Sequence, residues 1–207
     1  MKLLFINGSP RKEWNTSILL HESMKGAESA GAETEIINLY DLDFKGCRSC
    51  MACNLKDEKF FGHCSYNDEL QTILEKIDKC DGLILGSPIY FGDVTAEMRA
   101  FLERLIFQYA NFDDGSSLYN GDAKVGFIYT MNASEGYFNS LYDKYASLLG
   151  MHFEYAGTVE SAETLQVKDY GNYHLGFFDE KQRQERRKEV FPKDCENAYE
   201  LGKSLVN

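Results

Sequence analysis

The chain has 207 residues, 43% hydrophobic and 27% charged, a globular composition that argues against disorder. Its 22 basic and 33 acidic residues leave a net charge of −11, which repels phosphate backbones and anionic lipid, so no nucleic-acid or membrane partner is expected. The apolar run at residues 3–6 is cut by Asn7-Gly8, too short for a signal segment or a membrane span, so a cytoplasmic location is expected. Six cysteines are too sparse for a disulfide scaffold, and clustered thiols in a reducing compartment point to metal or redox chemistry.

In chain order, the pattern predicts a strand at residues 2–6 and a helix at 16–30 closed by Gly31. A short strand follows at 34–38, then a helix at 70–77 that Asn67-Asp68 can cap. The run Gly82-Leu83-Ile84-Leu85-Gly86 predicts a third strand, apolar on both faces. Met98, Phe101, Leu102, Leu105, Ile106 and Tyr109 keep helical spacing. Strands four and five are predicted at 124–130 and 151–159, with a helix at 141–149 between them. A charged helical tail spans 178–207, and a cysteine-containing insert spans 46–66. The length predicts one domain, 1–207. Repeated β-α alternation predicts an α/β fold: three layers, doubly wound, with a five-stranded parallel sheet in the flavodoxin-like order 2-1-3-4-5. Ligands of that topology sit at the carboxyl ends of strands one and three.

The loops at those two ends carry the unusual residues. In the first, Gly8 permits close backbone approach, and Ser9, Thr16 and Ser17 offer hydroxyls. Asn15 offers an amide and Arg11 a charged fork, where a helix begins and its free N–H groups favour an anion. The loop lacks Gly-Lys-Ser/Thr, G-x-G-x-x-G and cysteine, which removes the P-loop, the dinucleotide fingerprint and a thiol phosphatase. In the second, Pro88 fixes a turn, while Ile89, Tyr90 and Phe91 give apolar surface for a flat ring and Gly92 lets a backbone N–H approach it. Alternatively, Tyr90 and Phe91 are core residues entering the next helix.

Asn-Gly-Ser-Pro-Arg with Asn-Thr-Ser, and then Gly-Ser-Pro-Ile-Tyr-Phe-Gly-Asp, resembles the NADPH-dependent FMN reductase group of flavodoxin-like proteins, from the N-terminus to about residue 160. The resemblance implies that Ser9, Arg11, Asn15, Thr16 and Ser17 hold the FMN phosphate. It implies that Pro88, Ile89, Tyr90, Phe91 and Gly92 line the isoalloxazine, and that Asn132, Ser134 and Gly136, in the loop after strand four, approach the ring from the far side. It implies NAD(P)H as donor, a small-molecule electron acceptor, and a homodimer or homotetramer with the flavin near a subunit interface. Trp14 replaces the small residue often found before Asn-Thr, and the segment 164–178 is expected to cover the flavin of a partner subunit.

Cys47, Cys50, Cys53 and Cys64 follow the spacing x2, x2, x10. The Gly-Cys-x-x-Cys-x-x-Cys run resembles the iron–sulfur flavoprotein branch, although the last gap is longer than usual there. Four readings stand: a [4Fe–4S] cluster, a zinc site, redox-active thiols, and loop thiols without metal. No metal ligand is assigned among them. Cys80 and Cys195 read as structural thiols. The basic run at 181–189 reads as a solvated helix face, with contact to an NADPH 2′-phosphate as the alternative.

The favoured function is therefore FMN-dependent reduction of a flavin, quinone or similar acceptor by NAD(P)H. Hydride transfer requires no side-chain acid or base, so no catalytic residue is named. The alternatives are an iron–sulfur flavoprotein carrying electrons between ferredoxin and an acceptor, and a non-catalytic FMN-binding or sensor protein.

Overall fold

Alternation along β1 (Lys2–Asn7) decides the layers. Leu4 and Ile6 face one side of the sheet, Leu3 and Phe5 the other, and all four are fully buried. The computed structural model describes residues 1–56 and 59–206; Asp57 and Glu58 of the polar insert, and Asn207 of the tail, lie outside them. β1 is followed by α1 (Asn15–Ser29), β2 (Glu33–Asn38), α2 (Glu69–Ile77), β3 (Gly82–Tyr90), β4 (Asp93–Val94) and α3 (Ala96–Tyr109). β5 (Lys124–Thr130), α4 (Asn139–Gly150), β6 (Glu154–Ser161), α5 (Glu180–Glu189) and α6 (Phe191–Ser204) complete the chain. The parallel order is β2-β1-β3-β5-β6, which is the expected 2-1-3-4-5 winding with the two-residue β4 set aside.

One core holds Leu4, Ile6 and Leu85 with Leu74 of α2, Phe101 of α3 and Tyr145 of α4. The other holds Leu3, Phe5 and Ile84 with Leu20 of α1 and Leu201 of α6. Where α1 meets α6, the two backbones nearly touch. A Cβ on Gly26 would lie 1.9 Å from the Tyr199 carbonyl oxygen, and one on Gly202 1.8 Å from that of Ser23. Only glycine allows that approach.

Three local expectations change. The fifth parallel strand starts at Glu154 rather than 151, because Met151–Phe153 still bond back to Leu149 at the end of α4. The tail is two helices, because Pro192 in the first turn of α6 has no N–H for a continuous helix and its ring would strike the preceding turn. β3 runs four residues past Gly86, with Pro88 inside the strand rather than at a turn. Beyond Gly86, β1 has ended and β3 has a parallel neighbour on one side only, an edge where proline is tolerated. The chain turns later, at Phe91 (φ 51°) and Gly92 (φ 88°), and β4 returns antiparallel to β3. Two positive φ values suit a two-residue hairpin turn, but a bulky side chain at the first of them is strained.

Candidate functional site

The first loop is compact and held by its own hydrogen bonds, a cradle of buried polar side chains. Gly8 N–H donates to the Gly86 carbonyl at 2.8 Å, and the Thr95 hydroxyl donates to the Gly8 carbonyl at 2.7 Å, so the loops after β1 and β3 are tied together. Ser9, Asn15, Thr16 and Ser17 are buried. The Asn7 amide donates to the Ser17 hydroxyl at 2.8 Å, and that hydroxyl donates to the Arg11 carbonyl at 3.1 Å. Thr16 meets the Thr130 hydroxyl of β5 at 2.8 Å. Trp14 precedes the first turn of α1 and no side chain caps it, so the first N–H groups of the helix have no capping acceptor and carry the positive end of the helix dipole.

Above the cradle lies a cleft of about 390 Å³ at the carboxyl ends of β1, β3 and β5, a size typical of small-ligand sites. Its lining includes Ser9, Arg11, Asn15, Thr16, Pro88, Ile89, Tyr90 and Asn132. Ser17, Phe91, Gly92, Ser134 and Gly136 are not part of that lining. Ser17 lies beneath the cradle, and Phe91 stands wholly in solvent at the hairpin tip. Ser134 is exposed, and Gly136 N–H donates to Glu160 at 2.9 Å.

The remaining wall is the segment after β6. Thr164 is pinned to the Met131 carbonyl by its N–H and its hydroxyl, at 2.9 and 3.0 Å. The Leu165 carbonyl then accepts from Trp14 Nε1 at 3.0 Å and from Asn15 Nδ2 at 2.9 Å, and the Gln166 carbonyl accepts from Arg11. The segment thus covers the loop of its own chain. The basic run differs from a wholly solvated face. Arg183 is buried against Glu163 and the Asn132 carbonyl, and Arg187 donates to Asn15 Oδ1 while stacking on Phe191. Sequence reasoning missed Thr130, Leu165, Gln166 and Arg187. The i, i+4 pair Arg183 and Arg187 was a usable signal for a helix face turned inward.

The residues present fit a polar, ring-bearing anion. Asn132 has both side-chain atoms, Oδ1 and Nδ2, buried without a partner among the described residues, and it lines the cleft. An unpaired donor and acceptor side by side match a heterocycle with a carbonyl next to an N–H. The uncapped start of α1 matches a phosphate.

A second cluster lies in the insert. Cys47, Cys50, Cys53 and Cys64 all line one pocket, closed from below by Arg104, Phe107 and Gln108 of α3. Ser49 (φ 53°) and Met51 (φ 61°) take left-handed backbone between the cysteines and turn the chain back on itself. Cys53 is buried, and burial raises its thiol pKa. As the thiols stand, no three metal-binding side chains are close enough to share a metal ion among the described residues. Cys80 is buried and is not part of this pocket's lining, and burial pushes its thiol up to about 12.

The NADPH-dependent FMN reductase family model matches residues 1–153, most of the chain. The chain belongs to that family. An iron–sulfur flavoprotein of Methanocaldococcus jannaschii is 41% identical over 104 residues, covering 50% of this chain and 51% of that protein. The chain thus spans about half the length of the curated relatives it matches. Two solved structures share the fold over nearly the whole of both chains. An NAD(P)H:quinone oxidoreductase from Methanothermobacter marburgensis has a TM-score of 0.69 at 14% identity, covering 99% of this chain and 98% of that one. An FMN-dependent NADH-azoreductase from Bacillus anthracis, solved with FMN, has a TM-score of 0.65 at 11% identity, with full coverage of both. No helix among the described residues is long and apolar enough to cross a membrane.

Proposed function

We propose that the chain binds FMN in this cleft and acts as an oxidoreductase that passes electrons from NAD(P)H to a small flavin, quinone or similar acceptor. The observation that carries the reading is the pairing of an uncapped α1 start with the buried, unpaired carboxamide of Asn132 across one cleft. FMN supplies the hydride-accepting chemistry. The protein's residues bind and orient. Arg11, Thr16 and the first N–H groups of α1 hold the phosphate, with Ser9 and Asn15 beside them and Ser17 bracing the loop from below. Pro88, Ile89 and Tyr90 set one wall for the ring, Asn132 bonds its polar edge, and Phe91 and Gly92 shape the hairpin that carries Tyr90. Ser134 and Gly136 belong to the loop that approaches from the far side. The reading includes a single domain, a cytoplasmic location and a homodimer or homotetramer, for which the exposed Phe91 and Phe177 offer apolar surface.

The test compares FMN with riboflavin. Arg11→Ala combined with Thr16→Val is expected to weaken FMN binding by at least tenfold in a fluorescence titration, with riboflavin affinity nearly unchanged. Equal loss for both ligands would remove the phosphate assignment. NADH or NADPH oxidation by the FMN-loaded protein with a quinone acceptor tests turnover, and its absence with every donor leaves a binding protein.

A second reading is supported by the insert. Four thiols around one pocket, facing unpaired N–H donors, suit an anionic sulfur-ligated group, and an iron–sulfur cluster would make the chain an electron carrier. Anaerobic purification with iron and sulfide analysis separates the readings. About four iron per chain supports the cluster, and a plain flavin spectrum without iron leaves loop thiols.

A further inference from the structure

Two buried N–H donors in the cysteine pocket have no acceptor. Arg104 and Gln108 are 1% and 2% exposed, and Arg104 Nε and Gln108 Nε2 lack partners among the described residues. Their other polar atoms are committed. Arg104 donates through Nη1 to Asp68 at 2.6 Å and to the Lys45 carbonyl at 3.3 Å, and through Nη2 to the Tyr66 carbonyl at 3.0 Å. The Gln108 carbonyl oxygen accepts from Cys64 N–H at 3.1 Å, which fixes the carboxamide of this pocket-lining residue. Both residues project from one face of α3, with Phe107 between them taking Cys53 at its carbonyl. A buried donor without an acceptor loses its hydration with nothing in return, so its retention calls for an acceptor.

We infer that Arg104 and Gln108 are positioning residues that donate N–H bonds to the sulfur atoms of a cluster held by Cys47, Cys50, Cys53 and Cys64, and thereby raise its reduction potential. The inference rests on the second reading above. Reduction adds one electron and one negative charge to the sulfur-rich group, with no bond made or broken in the protein. Donors aimed at that charge stabilise the reduced form more than the oxidised form.

The experiment is a dithionite titration of the anaerobically purified holoprotein, followed by electron paramagnetic resonance, with iron and sulfide counted on each sample. Three variants are compared with wild type. Gln108→Met removes the donor at similar volume. Gln108→Glu keeps the acceptor for Cys64 N–H but replaces the donor with a negative oxygen. Arg104→Lys keeps the cation beside Asp68 and loses Nε. All three are expected to retain iron and to reduce at lower potential, Gln108→Glu lowest. If Gln108→Glu matches wild type while Gln108→Met does not, Gln108 serves only to hold the Cys64 loop and the inference falls. Unchanged potentials with full iron overturn it, and so does loss of iron from every variant, because the donors would then be needed for assembly. Wild type without iron or sulfide, even after reconstitution, removes the cluster reading itself and the inference with it.

Discussion

The Arg187 guanidinium donates to the Asn15 side-chain carbonyl at 2.8 Å, joining α5 to the first residue of α1 across 172 positions of sequence. The Asn15 amide nitrogen donates in turn to the Leu165 carbonyl at 2.9 Å. One carboxamide at the start of α1 is therefore held at both ends, by two parts of the chain that follow the sheet.

Arg187→Ala should loosen that carboxamide without touching a ligand. A hydrogen bond involving a charged group contributes about 1.5–3 kcal/mol, so FMN affinity should fall roughly tenfold or more. Flavin fluorescence quenching on titration measures it. Affinity within a factor of two of wild type would mean that Asn15 needs no such support.

The α1–α6 contact should tolerate no side chain at its closest points. Gly202→Ala places a methyl group 1.8 Å from the Ser23 carbonyl oxygen, an overlap that must force the helices apart. A loss of about 3 kcal/mol is expected, read as a lower urea midpoint. Gly150→Ala, at a helical position with nothing within 4 Å, should instead be neutral or stabilising by about 0.5 kcal/mol. Equal effects from the two substitutions would contradict the packing.

Much of this architecture was legible from periodicity. The apolar strands, the helix stripes and the two unusual loops gave the winding, and Asp68 caps α2 as its position predicts. What periodicity could not show were contacts between distant residues. Nothing local marks Leu165 and Gln166, because what acts there is a backbone carbonyl that any residue could supply. Arg104 and Gln108 were hidden beside the apolar stripe of α3, since their value lies in which polar atoms are left unused. The reach of β3 through Pro88 was misjudged because proline is a turn signal only where the strand still has neighbours on both sides.

The hairpin should loosen in acid. Burial alone would raise the Asp93 pKa, but bonds from the Tyr145 hydroxyl at 2.6 Å, the Val94 N–H and Lys144 hold its carboxyl below the usual range. A folded-state pKa below the unfolded one gives stability that is full above the unfolded value and lost as pH falls through the folded value. The side chain is substantially exposed, so the contribution is at most about 1 kcal/mol at pH 7. Urea unfolding of wild type and Asp93→Asn should differ at pH 7 and converge toward pH 3.

The thiols should react in a fixed order in metal-free protein. Cys50 is exposed, whereas Cys80 is 6% exposed with its thiol pushed up to about 12 by burial. Iodoacetamide at pH 8 should label Cys50 within minutes and leave Cys80 unlabelled until the fold opens, as read by peptide mass spectrometry. Early labelling of Cys80 would show that the core around α2 and α3 breathes.

One rod serves both candidate centres. The hydroxyl of Thr95, at the start of α3, fastens the loop floor of the cleft, and about two and a half and three and a half turns later Arg104 and Gln108 line the cysteine pocket. Helical rise sets about 14 Å between Thr95 and Arg104, a spacing that loop sequence cannot alter. A single residue inserted between them would turn Arg104 by about 100°, swinging it off the thiols while the cleft kept its shape. The separation of the two centres is thus written as a length of helix, and only whole-turn changes could preserve their mutual orientation.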